Sequence, residues 1–149
     1  MKTFSSHKTK TLTISNKTNV HLHPDLHLDG HIIEAVDHHK HLGVTLSHNL
    51  RWNYHINELV SNTSKKLDLM RGLKYKLDRK SPETVYTSFI RPCLEYASIL
   101  WSGTYDTDLM KIDALQIDAM RIVTGATARS NINNLFEETG WPSLQERRT

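Results

Sequence analysis

The apolar residues of this chain change their spacing at Trp52, and that change divides the fold into two regimes. Upstream they alternate with polar residues, as in strands that bury one face. Downstream they recur every third or fourth position, as in amphipathic helices. A chain with this division is an α+β protein: a short antiparallel β-hairpin platform over about 10–46, then a helical bundle of four to five helices over about 52–148. Residues 1–50 and 51–149 are the corresponding domains.

In the first part, Thr11-Leu12-Thr13-Ile14-Ser15 has the pattern of a half-buried strand. Leu26-His27-Leu28 alternates too, Asp29-Gly30 suits a tight hairpin turn, and Ile32 and Ile33 open the return strand. Lys40 to Leu46 is a further strand candidate, with Leu42, Val44 and Leu46 on one face. Gly43 inside it marks a bulge or the close approach of another backbone.

In the second part, Ile56, Val60, Thr63, Leu67 and Met70 form one stripe of a helix capped by Asn53. Lys74 would fall on that stripe if the helix continued, so the helix should end or bend near Gly72 and leave Lys74 to Lys80 in a basic turn. Ser81-Pro82-Glu83 has the capping pattern of a second helix, whose apolar residues cover a wide arc from Val85 to Trp101. That breadth predicts a central position, with a kink at Pro92. Asp106 and Asp108 open a third helix that Gly125 stops. A fourth runs from about Ser130 to Glu138 and ends at Gly140. Trp141-Pro142-Ser143 starts a fifth, with Ser143 and Glu146 at capping-box spacing. That helix stops barely one turn later, which is the expectation for a truncated product. Trp52, Trp101 and Trp141 each lie beside an apolar stripe or a helix start, so packing or capping is the commoner role for them than stacking on bases.

Charge narrows the function. Residues 65–80 hold seven Lys or Arg (Lys65, Lys66, Arg71, Lys74, Lys76, Arg79 and Lys80) against Asp68 and Asp78, a local surplus of five where the whole chain carries +3. Such a field attracts polyanions; the bland alternative is a solvated basic loop. With 38% apolar residues and a mean hydropathy of −0.51, the core should be modest. The single cysteine, Cys93, excludes an internal disulfide framework and sits in an apolar helix as a buried, inert thiol. No signal-type or membrane-spanning stretch occurs, so a soluble protein of the nucleus or cytoplasm with no membrane partner is expected.

Catalytic constellations are scarce. Nucleotidyl transfer needs two metal ions held by clustered carboxylates, and the sequence has no adjacent Asp-Asp pair. No Gly-rich phosphate loop or nucleophile elbow occurs. All ten histidines lie between His7 and His55, including His21-x-His23 and His38-His39-x-His41. Zinc needs about four converging ligands, so surface or nucleic-acid-contacting histidines fit better. No metal site is expected in this chain.

Five strings appear in order: His39-Lys40-His41-Leu42-Gly43-Val44-Thr45-Leu46; Leu50-x-Trp52-x-x-His55-Ile56; Arg91-Pro92-x-Leu94-Glu95-Tyr96-Ala97-Ser98-x-x-Trp101; Asp118-Ala119-Met120-Arg121-Ile122-Val123-Thr124-Gly125; and Gly140-Trp141-x-x-Leu144-x-Glu146-Arg147-Arg148. Together they resemble the region downstream of the catalytic Asp-Asp box in reverse transcriptases of non-LTR (LINE/jockey-like) retrotransposons. The resemblance implies that residues 1–50 are the end of the palm and 51–149 the thumb. It implies a primer-grip-like hairpin at His41, Leu42, Gly43 and Val44, and a pyrophosphate-assisting role for Lys8, although Ser5 stands where the family has Asn. It further implies nucleic-acid contacts from Lys65, Lys66, Arg71, Lys74, Lys76, Arg79 and Lys80.

The partners implied are an RNA or RNA–DNA hybrid duplex, gripped by its backbone, and the remaining palm and fingers of a full-length polymerase. Mg²⁺ is expected only in that full-length enzyme. The metal-binding carboxylates would lie upstream, so this chain should be inactive alone. The alternative is a stand-alone helical module, derived from a retroelement, that binds nucleic acid or protein.

Overall fold

A computed structural model describes residues 9–15, 24–76, 78 and 80–148. Backbone packing divides the chain between His55 and Ile56 into two compact units. Both strands and helices are present, in the expected order, so the chain is α+β.

In the amino-terminal unit, β1 (Lys10–Thr11) pairs in parallel with β4 (Glu34–Ala35), and Lys10 meets Glu34 at 3.2 Å. The expected strand over 11–15 is therefore shorter and begins one residue earlier. Beyond it the backbone makes isolated bonds instead, such as Ser15 N–H to the His48 carbonyl at 2.8 Å. β2 (His27–Leu28) and β3 (His31–Ile32) form the hairpin expected around Asp29-Gly30, both of which have positive φ.

The expected single strand over 40–46 is instead a hairpin of β5 (His38–His41) and β6 (Val44–Ser47), paired from His38 with Ser47 to His41 with Val44. The reason is local. Leu42 and Gly43 take φ of +47° and +81°, the two consecutive left-handed residues of a type I′ turn, whose twist suits a two-residue hairpin. Gly43 thus makes the turn rather than a bulge in a strand. The face expected to hold Leu42, Val44 and Leu46 breaks up: Val44 is buried and Leu42 is 77% exposed.

The helices fall in the expected order, with several corrections, beginning with Asn53, which opens the first of them rather than preceding it as a cap. Helix α1 (Asn53–Leu73) ends where Gly72 predicted, and Ile56, Thr63, Leu67 and Met70 of its stripe are buried. Helix α2 (Lys80–Val85) is capped by Asp78, whose side chain accepts the Ser81 N–H at 3.2 Å; Ser81 is not the cap. A π-helical turn (Tyr86–Ile90) follows, then α3 (Arg91–Glu95). Pro92 cannot donate into the helix ladder, and the wider π turn ahead of it, with Arg91 N–H bonded to the Tyr86 carbonyl, absorbs the mismatch.

The helix does not continue to Trp101. Ala97 adopts φ +54°, and a separate turn, α4 (Ser98–Trp101), begins there. The apolar arc the sequence suggested is narrower than expected: Phe89, Tyr96 and Leu100 are exposed, while Tyr86, Ile90, Leu94 and Trp101 are buried. Cys93 is half-buried rather than buried.

Helix α5 (Asp106–Thr124) is the centre of the bundle, contributing Ile112, Leu115, Ala119, Met120 and Ile122 to the core. Each fully buried side chain of this size contributes about 1.5–3 kcal/mol relative to exposure. Helix α6 (Ile132–Thr139) is capped by Asn131, which accepts the Asn133 N–H at 2.9 Å, and stops at Gly140. Helix α7 (Leu144–Arg148) begins with the predicted reciprocal box: Ser143 N–H donates to Glu146 at 2.8 Å and Glu146 N–H to Ser143 Oγ at 3.1 Å. Trp101 and Trp141 are core residues, as their positions beside apolar stripes suggested.

Candidate nucleic-acid interface

The basic residues of 65–80 separate into two groups once their surroundings are known. Lys66 turns inward from α1. Its Nζ lies 2.9 Å from Cys93 Sγ and 4.7 Å from the centroid of the Phe89 ring, which pins α1 to the π turn and α3. Arg71 bridges two carboxylates, Asp68 at 2.6 Å and Asp118 of α5 at 2.8 Å. Its charge is already matched, and both contacts are solvent-exposed, so each is worth well under about 1 kcal/mol.

Lys74 is half-buried. It reaches the end of α5, its Nζ 3.4 Å from where a β-carbon on Gly125 would sit. A cation at that place meets the negative end of the α5 dipole. Lys65, Lys76 and Lys80 are exposed. Lys80 is the first residue of α2, where a positive charge works against the helix dipole by a few tenths of a kcal/mol. Arg79 lies outside the described residues, as does Lys8.

The fold therefore gathers Lys74, Lys76 and Lys80 at the connection between α1 and α2, with Lys65 about two turns earlier on α1. Tyr75 stands among them, 87% exposed. Sequence reasoning passed it over, although its place between Lys74 and Lys76 was visible.

Of the hairpin residues, Val44 and Thr45 are buried, and His41, Leu42 and Gly43 form an exposed tip. The base of the hairpin is fixed from the start of α1. His55, buried, accepts the Thr45 N–H at Nδ1 across 3.3 Å, and the Tyr54 ring stacks on His38 with centroids 4.4 Å apart. His55 thus has a structural role that composition alone did not reveal.

Among the described residues no group of three or more His, Cys, Asp or Glu is placed to hold a metal ion; His21 and His23 lie outside them. Among the described residues no helix is long and apolar enough to cross a membrane. An open groove of about 480 Å³ lies on the bundle between Ser102, Leu109, Met110 and Arg148. Arg148 forms part of its floor. The guanidinium bonds Asp113 at 2.5 Å and lies 5.7 Å from the Trp101 ring, so it is a structural tie from α7 to α5.

The chain is similar to the RNA-directed DNA polymerase from mobile element jockey of Drosophila melanogaster, at 25% identity over 146 residues. The match covers 96% of this chain and 16% of that protein, so the chain spans about a sixth of its relative's length. No protein-family model matches the chain, and no solved structure does. The similarity, running almost end to end, relates this α+β chain to the polymerase of a retrotransposon.

Proposed function

We propose that this chain is the section of a retrotransposon reverse transcriptase that runs from the end of the palm through the thumb. In this reading the carboxy-terminal unit holds a template–primer duplex by its phosphate backbone. The exposed tip at His41, Leu42 and Gly43 acts as a primer-grip-like element. The observation that carries the reading is the set of exposed lysines, Lys65, Lys76 and Lys80, with Lys74 beside them, on a bundle whose neighbouring cations Lys66 and Arg71 are spent internally. Cations with no carboxylate partner among the described residues, along and just after α1, suit phosphate contacts, which position a duplex without reading its sequence. The similarity to an RNA-directed DNA polymerase along 96% of the chain makes an RNA–DNA hybrid the natural duplex. Such a hybrid is recognised by shape and backbone.

Nucleotidyl transfer would depend on metal-binding carboxylates from other parts of a longer enzyme. The test combines two measurements on the chain. It should bind a hybrid duplex at low salt, and it should add no nucleotide to the primer with Mg²⁺ or Mn²⁺. Incorporation would refute the assignment of chemistry elsewhere, and absence of binding would refute the duplex grip.

A second reading, a protein-interaction module, is favoured by a different observation. Tyr96, Ile99, Leu100, Tyr105 and Met110 are all more than half exposed around α4 and the start of α5. Apolar groups of this kind mark contact surfaces, and the remaining palm and fingers of a polymerase would be one such partner. Retention of hybrid binding by a chain with Ile99 and Met110 changed to Ser would separate this face from the basic one.

A further inference from the structure

We infer that Tyr75 is a stacking platform for an unpaired base, so that the basic end of α1 engages single-stranded nucleic acid next to the duplex. The inference deepens the duplex-binding reading and rests on it for the class of ligand.

Several large aromatics of the carboxy-terminal unit are exposed, and their electrostatic surroundings differ. Tyr105 precedes Asp106, whose charge disfavours a phosphate backbone, and Tyr96 follows Glu95, whose carboxylate is already engaged by Arg91 and Arg147. Phe89 has the Lys66 ammonium 4.7 Å over its ring, held in place by Cys93. Tyr75 has its neighbouring ammonium farther off, at 6.0 Å, and its ring is more exposed than that of Phe89. It sits in the turn after α1, 87% exposed, between Lys74 and Lys76 and five residues before Lys80.

The carboxylate nearest in sequence, Asp78, keeps its charge but is turned toward the start of α2, where it accepts the Ser81 N–H. The Lys74 ammonium lies 6.0 Å from the Tyr75 ring centroid, anchored beside the end of α5. The turn itself is tied down: Lys74 N–H bonds the Met70 carbonyl at 3.1 Å and Lys76 N–H the Leu73 carbonyl at 2.9 Å. The result is an exposed aromatic ring flanked in sequence by Lys74 and Lys76, with the Lys74 ammonium 6.0 Å from its centroid. Single-stranded nucleic acid is bound by this combination, because every base has a face to stack and every nucleotide a phosphate to neutralise.

A solvent-facing tyrosine ring without such a ligand gains nothing from burial. Leu73, immediately before Lys74, is also 44% exposed. A base lying on Tyr75 would cover part of the ring.

The experiment compares two ligands on the intact chain: a blunt RNA–DNA hybrid, and the same hybrid with a short unpaired overhang carrying 2-aminopurine. The wild-type chain should bind the overhang form more tightly and quench its fluorescence. Tyr75→Ala should lose at least about fivefold affinity for the overhang form, the scale of one lost base stack, and keep its blunt-duplex affinity. Tyr75→Phe, which retains the ring, should behave as wild type. Unchanged overhang affinity and unchanged quenching in Tyr75→Ala would overturn the inference. If the chain ignores blunt duplex but binds a single strand in a Tyr75-dependent way, the duplex grip fails and the stacking platform stands.

Discussion

The indole of Trp141 lies flat on the phenol ring of Tyr86, with centroids 4.2 Å apart and planes 9° from parallel. The stack joins the segment before α7 to the π turn, and the Trp141 Nε1–H also reaches Glu83 at 3.4 Å. Tyr86 is fully buried, and its hydroxyl has no hydrogen-bond partner among the described residues.

Tyr86→Phe keeps the stack and removes an unsatisfied polar atom. The variant should be as stable as the wild type or more so, by up to about 1–3 kcal/mol, measured by urea denaturation. Burial also pushes the Tyr86 phenol well above its ordinary value, with the Arg91 cation partly opposing. Above about pH 10 the unfolded phenol ionises while the folded one keeps its proton. The unfolded state then binds fewer protons, so stability falls as pH rises, by about 1.4 kcal/mol per pH unit from this group. Tyr86→Phe should remove that alkaline loss, and an identical pH profile in the variant would contradict the assignment.

Gln116 provides a further tie to the last helix. Buried on α5, it donates to the Pro142 carbonyl at 2.9 Å and accepts the Leu144 N–H at 3.0 Å. Gln116→Leu preserves volume but strands both backbone groups. A cost of about 2–4 kcal/mol is expected, since each stranded group forfeits about 1–3 kcal/mol. A loss under about 0.5 kcal/mol in equilibrium denaturation would show that the amide does not hold this junction.

Leu42 presents the opposite case, an apolar residue in a left-handed conformation that costs about 1–2 kcal/mol. It is exposed at the hairpin tip, so little packing offsets the strain. Leu42→Asn creates the Asn-Gly pair that type I′ turns favour. It should stabilise the amino-terminal unit, read as slower amide exchange at Val44 and Thr45. Faster exchange would mean that the Leu42 side chain itself secures the tip.

The helices were legible because their signals are local. Gly72, Gly125, Gly140 and the Ser143–Glu146 box mark ends that the backbone obeys. The hairpin at Leu42-Gly43 was implied by the resemblance but not by the alternation of apolar residues, because its turn begins with a leucine, a residue that seldom takes positive φ. The break at Ala97 was hidden because alanine favours helix, and here tertiary packing places it at φ +54°. The basic cluster was visible as a count, but which cations are free depends on partners distant in sequence. Asp118 lies 47 residues from Arg71, and Cys93 lies 27 from Lys66. No local pattern records those pairings.

The grip on a duplex by exposed lysines is tested most directly by the salt dependence of hybrid binding. Each phosphate neutralised contributes about 0.9 to the slope of log affinity against log salt for a B-form duplex. Changing Lys65, Lys76 and Lys80 together to Gln should weaken binding and lower that slope by about 2 to 3. Arg71→Ala, which removes a cation already paired with Asp68 and Asp118, should leave the slope unchanged. Equal slopes for the triple variant and the wild type, or a larger fall for Arg71→Ala, would contradict the account.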